Sequence, residues 1–363
     1  MALSPDGARK GRGASCNPDN RFFSTHSEAE HDGWALAPDP LKPLLTSVTV
    51  QQSRTIISRN HSPDVPFTQS INPYQGCEHG CVYCYARPSH AYFDLSPGLD
   101  FETKLFAKPN AAELLRKELS HPRYQVSAIT LGANTDAYQP IERDWKITRA
   151  LLEVMLETRH PVSIITKNAL VLRDLDILTE LAKLNLLQVF VSVTSLDPAL
   201  TQKLEPRASA PHRRLLTIEK LGAAGIPVGC MVAPLIPFIN DAEMEDILTA
   251  VARAGAGTAG YVFIRLAHEL KTLFRTWLDE HAPLKAERVM AVINDARGGR
   301  DNDPRFGSRM RGEGQFAELL RQRFAVAVKK NGLNRVRTDL RTDLFIAPEA
   351  PARKQKDRQI PLF

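Results

Sequence analysis

No stretch of this chain approaches the roughly 18 consecutive apolar residues that a membrane-crossing helix requires, so a helical membrane protein is not expected. The first 43 residues lack the apolar segment of a secretory signal and are filled instead with Gly, Ser, Asp, Asn and Pro, so they read as a disordered leader. Cysteine is scarce, five residues in 363, and does not follow the even spacing of a disulfide framework. A reducing compartment is therefore expected, and with it a cytoplasmic location. A marked excess of one charge is missing as well, since 47 Lys and Arg against 41 Asp and Glu leave a net charge of +6. The surplus is uneven: residues 297–341 hold 12 Lys and Arg against 5 Asp and Glu, and a local basic surface favours an anionic partner.

What is present is an ordinary globular composition, 43% hydrophobic and 24% charged, in a chain long enough for one large α/β domain with appendages. Four segments are expected. Residues 1–54 form the leader and a short β-prone lead-in (Val48-Thr49-Val50), 55–297 a core domain opening on Thr55-Ile56-Ile57, 298–347 a basic loop and C-terminal helix, and 348–363 a disordered basic tail containing Arg353-Lys354-Gln355-Lys356.

Three of the five cysteines fall within eight residues of the stretch Ser70-Ile71-Asn72-Pro73-Tyr74-Gln75-Gly76-Cys77-Glu78-His79-Gly80-Cys81-Val82-Tyr83-Cys84-Tyr85-Ala86. Three thiolates hold three irons of a cubane cluster and leave the fourth without a protein ligand, an open position of the kind a catalytic centre needs. Gly76 and Gly80 suit a backbone that curls around a bulky inorganic core. A zinc site would more often show paired C-x2-C units, and Cys16 and Cys230 stand alone. A thioredoxin-type Cys81–Cys84 pair would leave Cys77 without a purpose.

Within the core, apolar runs alternate with amphipathic stretches. Asn110 is expected to cap a helix through Leu119, with Glu113 completing a capping box. Then follow strand Val126 to Leu131, helix Asp144 to Thr158 (Ile147, Leu151, Leu152 and Met155 at helical spacing), strand Val162 to Thr166 and helix Leu172 to Leu184. Strand Leu187 to Val193, helix His212 to Ala224, strand Pro227 to Val232, helix Asp241 to Ala254 and strand Gly260 to Leu266 complete the alternation. Helices from Thr272 to His281, Leu284 to Arg297 and Gln315 to Lys330 come last. With one strand before Cys77 this makes six β/α units, a partial (β/α)6 barrel of the TIM type with an α-helical C-terminal extension, whose site belongs at the carboxyl ends of the strands. Polar residues stand there: Asn134-Thr135-Asp136 after the second strand, Lys167-Asn168 after the third, Ser192 and Thr194 at the fourth, Arg265 at the sixth.

The cysteine stretch resembles the cluster loop of the radical S-adenosylmethionine (SAM) superfamily. Its flanks, and the segment from Asn134 to Glu142, resemble the branch that holds the spore photoproduct lyases and proteins labelled DNA repair photolyase. The resemblance implies a 4Fe-4S cluster on Cys77, Cys81 and Cys84, with SAM chelated to the open iron. It also implies an electron donor such as flavodoxin or ferredoxin, and reductive cleavage to a 5′-deoxyadenosyl radical that abstracts hydrogen from a substrate. Carried over by position, Thr135 and Asp136 contact the methionyl and ribose polar groups, Lys167 the carboxylate and Ser192 the ribose. Tyr83 and Tyr85 line the adenine side, as do Met231 and Val232. Spore photoproduct lyases carry a hydrogen-donor cysteine ahead of the polar pair, where this chain has Gly132-Ala133-Asn134, so thymine-dimer repair by that route is not expected. The arginine-rich run Gly298 to Gly314, with Phe306 inside it, suits contact with nucleic acid or another phosphate-bearing molecule. A non-catalytic iron-sulfur module is the other class considered. It has no use for polar residues at the strand ends.

Overall fold

Apolar runs that can be buried on both faces become the parallel strands of one sheet. The protein, here a computed structural model, is described for residues 11–22, 44–336 and 338–349. The expected tail from residue 350 onward, and the parts of the leader at 1–10 and 23–43, lie outside the described residues.

Six strands lie side by side in chain order: β1 (Gln69–Ile71), β2 (Ile129–Leu131), β3 (Val162–Thr166), β4 (Leu187–Ser192), β5 (Val228–Leu235) and β6 (Thr258–Phe263). All adjacent pairs among them are parallel, and Ser58–Arg59 adds a short antiparallel strand outside β1. One row across the sheet, Ile71, Leu131, Ile164, Val189 and Val228, is in register and buried. The helices between strands bury their apolar stripes: α1 (Ala111–Leu119), α2 (Ile147–Glu157), α3 (Leu175–Lys183), α4 (Pro211–Ala223) and α5 (Met244–Arg253), followed by α6 (Leu270–His281), α7 (Ala286–Asp295) and α8 (Gly314–Lys330). This is the six-unit partial barrel with a helical extension that the alternation implied. Among the described residues no helix is long and apolar enough to cross a membrane.

The open edge at β6 is covered. The Asn334 side chain brackets Ala259, accepting from its N–H at 2.7 Å and donating to its carbonyl at 2.9 Å, while Phe263 N–H donates to the Met310 carbonyl at 2.9 Å. These bonds occupy backbone groups that would otherwise template pairing with another chain.

Several local expectations are corrected. No capping box forms at Asn110, whose side-chain amide donates to the Ser53 carbonyl at 3.0 Å, because a tertiary partner outcompetes the local cap. The helix expected from Asp144 is broken at Lys146, which takes φ 51°, so α2 starts at Ile147. Of the run Val126 to Leu131 only the last three residues pair as strand, and Thr55 to Ile57 do not pair at all. The largest correction is to the leader, since residues 11–22 are packed: Ala14 and Cys16 are buried against Leu99 and Leu273.

Candidate active site

The cysteine loop leaves β1 and is held by a buried arginine. Arg87 has no solvent exposure and donates Nε to the Cys81 carbonyl (2.8 Å), Nη2 to that of Gly80 (3.1 Å), and Nη1 to those of Pro97 (3.0 Å) and Gly98 (2.8 Å). Its charge is matched by Glu102, also fully buried, which in turn accepts the N–H groups of Gly13 (3.0 Å) and Ala14 (2.9 Å). A buried ion pair is retained without loss when every remaining donor and acceptor is satisfied, and here those extra bonds fix the loop carbonyls. Gly76 and Gly80 take φ 72° and 67°. A β-carbon would lie 2.9 Å from the Phe101 carbonyl oxygen at the first and 2.7 Å from a Glu102 carboxylate oxygen at the second, so the loop admits only glycine.

From the other side, the loop after β2 grips the same segment. Gln139 donates to the Gly76 carbonyl at 3.1 Å and accepts from Glu78 N–H at 3.0 Å, while Asn72 Oδ1 accepts from Asn134 N–H at 3.0 Å. Thr135 is buried and its hydroxyl donates to the Tyr74 carbonyl at 2.7 Å. Asp136 accepts from Tyr138 N–H (2.8 Å), the Thr166 hydroxyl (2.8 Å) and Lys167 N–H (2.7 Å), and lies 3.4 Å from His79 Nδ1. Both side chains thus orient the turn at the barrel mouth through the chain's own bonds.

Lys167 behaves differently. Its ammonium stands 5.9 Å from the centre of the Tyr83 ring and acts electrostatically on the Cys81 and Cys84 thiols, yet among the described residues it has neither an ion pair nor a hydrogen bond. Tyr83 is buried and donates its hydroxyl to Glu205, which is paired with the buried Arg214 and accepts from the Thr194 hydroxyl at 2.5 Å. Ser192 is buried at the end of β4, and its carbonyl accepts from Arg214 at 3.0 Å. The Tyr85 ring is 51% exposed, with its hydroxyl given to the Ala133 carbonyl across the mouth. Met231 is half-buried and Val232 fully buried in β5. Cys230 is buried among core side chains, its thiol pushed up to about 12 by desolvation.

Arg87, Glu102, Gln139, His79, Glu205 and Arg214 were not legible in the sequence. Each acts through partners that the fold brings to it, and an isolated Arg or Glu carries no periodic signal. His79 and Gln139 had a cue in lying within the marked stretches, and Arg87 in its place three residues after Cys84.

The donor set suits an iron-sulfur core. Cys77 and Cys81 are buried, Cys84 is half-buried, and none is in a disulfide. Burial raises all three thiols, with Asp136 and the other two thiols adding to the rise at Cys77. Coordination by metal removes that cost by binding the thiolates. Among the described residues no three His, Cys, Asp or Glu side chains close around one ion-sized point. One shared ion would need them closer, whereas a core that takes one thiolate per iron does not.

A family model of the Radical SAM superfamily matches residues 71–251, from the end of β1 into α5. An uncharacterised protein of Mycobacterium tuberculosis is 33% identical over 268 residues, 73% of this chain and 75% of its own length. Another, of Methanocaldococcus jannaschii, is 27% identical over 219 residues, 60% of this chain and 78% of its own. Among solved structures, a spore photoproduct lyase variant with bound AdoMet and dinucleoside spore photoproduct matches with a TM-score of 0.56 at 16% identity, over 79% of this chain and 80% of that one. At that identity the likeness shows the fold alone. With the six-strand open barrel, the cysteine loop at its mouth and a curated relative at 33% identity over most of both chains, this chain belongs to the radical SAM superfamily.

Proposed function

We propose that Cys77, Cys81 and Cys84 hold a 4Fe-4S cluster and that the protein is a radical SAM enzyme that cleaves SAM reductively and acts on a phosphate-bearing substrate. The observation that carries this reading is Lys167, an ammonium with no partner among the described residues, held at a strand end beside two of the three thiols. A cation at the barrel mouth with no ion pair among the described residues is available to an anion, and an electron-transfer or sensing module gives it no task. The carboxylate of SAM is the natural counter-ion.

When bound, the cluster supplies the electron that breaks a carbon-sulfur bond of SAM and yields a 5′-deoxyadenosyl radical. The chain's own residues then have distinct tasks. Arg87 and Glu102 fix the loop carbonyls so that the thiols stay put, and Lys167 binds the carboxylate. Thr135 and Asp136 shape the methionyl and ribose side, Ser192 lies toward the ribose, and Tyr83 and Tyr85 border the adenine with Met231. The packed segment 11–22 covers the cysteine loop and limits water and oxygen at the thiols. An external donor of the flavodoxin or ferredoxin type brings the electron. Spore photoproduct lyase, by the name of its solved complex, binds a dinucleoside photoproduct, and this supports a nucleotide-like substrate here. Gly132-Ala133-Asn134 offers no thiol for the same repair chemistry.

The test is anaerobic reconstitution, iron and sulfide analysis, electron paramagnetic resonance of the reduced protein, and chromatography of its SAM products. A cluster signal with methionine and 5′-deoxyadenosine is expected. Replacing Cys77, Cys81 or Cys84 by Ala removes the signal, and replacing Cys16 or Cys230 leaves it. Stoichiometric zinc with no cluster signal would sink the reading.

A further inference from the structure

At the sixth strand the barrel mouth carries a second cation with no carboxylate partner among the described residues. Arg265 lies two residues beyond β6, at the carboxyl end where barrel enzymes gather substrate groups. It is half-buried, and its Nε is buried with no hydrogen-bond partner. Nη1 meets only the Met310 sulfur at 3.7 Å, a weak acceptor. The acids that would normally neutralise it are committed elsewhere. Glu269 accepts Arg21, side chain at 3.2 Å and N–H at 3.0 Å. Asp64 accepts Gly307 N–H at 2.7 Å and is paired with Arg309. Among the described residues no carboxylate pairs with Arg265, although burial and the neighbouring Arg309 both disfavour its charge.

The same inventory separates Arg265 from the cofactor cation. Lys167 acts on Cys81, Cys84 and His79 and stands near the Tyr83 ring, whereas the charged and titratable neighbours of Arg265 are Arg309, Tyr85 and Asp64, with Arg297 also feeling it and Tyr85 the one that also feels Cys84. Strands β4 and β5 lie between β3 and β6 in the sheet. Two free cations so placed serve two different anions. The one at β6 has two further guanidinium groups within electrostatic reach, Arg297 and Arg309, a field suited to a multiply charged phosphate more than to a single carboxylate, and the planar fork of arginine matches phosphate oxygens.

We propose that Arg265 is the substrate's phosphate anchor, a site at the end of β6 that takes a phosphate group. This rests on the radical SAM reading above and names the substrate class for that same mouth.

The experiment is calorimetric titration of the reconstituted, SAM-loaded protein in low-salt buffer with inorganic phosphate, and separately with acetate. Phosphate is expected to saturate, with acetate at least tenfold weaker. Arg265→Gln is expected to lose phosphate affinity tenfold or more while its melting temperature stays within the error of the parent, and Arg265→Lys to fall between. Lys117→Gln, which removes one exposed positive charge on α1, keeps the affinity and controls for net charge. Equal phosphate affinity in Arg265→Gln, no phosphate binding by the parent, or tighter acetate than phosphate each overturns the proposal. Reductive SAM cleavage by the parent is scored apart. If it is absent while phosphate binding still depends on Arg265, the radical reading fails and the anion site stands; if cleavage occurs and the Arg265 variant binds phosphate unchanged, the anion site alone fails.

Discussion

Gly13 lies directly against Gly80: a β-carbon on Gly13 would stand 1.7 Å from the Gly80 carbonyl oxygen, far inside van der Waals contact. The N-terminal segment therefore forms one wall of the cysteine loop. It is tied at one end by Glu102, which accepts the N–H groups of Gly13 and Ala14, and at the other by the Arg21–Glu269 ion pair beyond β6.

The first prediction follows from that contact. Gly13→Ala should push the segment off the loop at a cost of about 1–3 kcal/mol, typical of overpacking, and speed loss of iron in air. Thermal melting and iron content after timed exposure measure both, and a variant that matches the parent in each would show that the segment does not guard the loop.

The Arg87–Glu102 pair gives the second. Arg87→Met leaves a buried carboxylate uncompensated and should cost about 3–5 kcal/mol, whereas the double change Arg87→Met with Glu102→Leu should cost less than the two single losses added together. Chemical denaturation of the single and double variants decides it. Simple additivity would mean that the two residues do not act as a unit.

Lys167→Ala should weaken SAM binding by about 1–3 kcal/mol, the value of a charge-assisted bond, without lowering the melting temperature of the SAM-free protein. Equilibrium binding measures the loss. Lys167→Arg restores part of it if charge is the operative property, and an unchanged affinity in Lys167→Ala removes this residue from the site.

His160 predicts a pH dependence away from the site. It is fully buried between the Tyr124 hydroxyl (2.7 Å) and the Pro161 carbonyl (2.9 Å), with Phe345 edge-on at 5.5 Å, and desolvation lowers it from the ordinary 6.5 to about 4. The folded state thus favours the neutral ring, and the unfolded chain binds the extra proton first. Stability contributed here is present above about 6.5 and falls as pH drops toward about 4. Unfolding titrations of the parent and His160→Gln across this window test it, and parallel curves would count against a role for the imidazole.

The alternation of apolar runs and amphipathic helices was enough to reach the six-unit barrel, because strand and helix periodicities are local and the parallel order follows from crossover geometry. The cysteine spacing was enough to mark the loop and the family. The sequence alone also marked the strand ends, since a polar residue straight after an apolar run has only the rim to occupy. What it left undecided depends on partners far along the chain. The position of Asp136 was legible as a rim residue, and only the fold shows that it also holds the turn through Thr166 and Lys167. The basic surplus of 297–341 looked like a binding surface, and the fold divides it: Arg305 is bound to Asp303 and Glu313, Arg309 to Asp64, Arg321 to Glu318 and Arg323 to Glu245, while Arg265, outside that run, has no carboxylate partner among the described residues. Residues 11–22 carry no hydrophobic period because they are anchored by backbone N–H groups on a buried carboxylate. Burial and pairing of a charge are decided by which distant segment arrives beside it, and only the tertiary structure brings Gly13 to Gly80, Glu102 to Arg87 and Lys167 to the thiols.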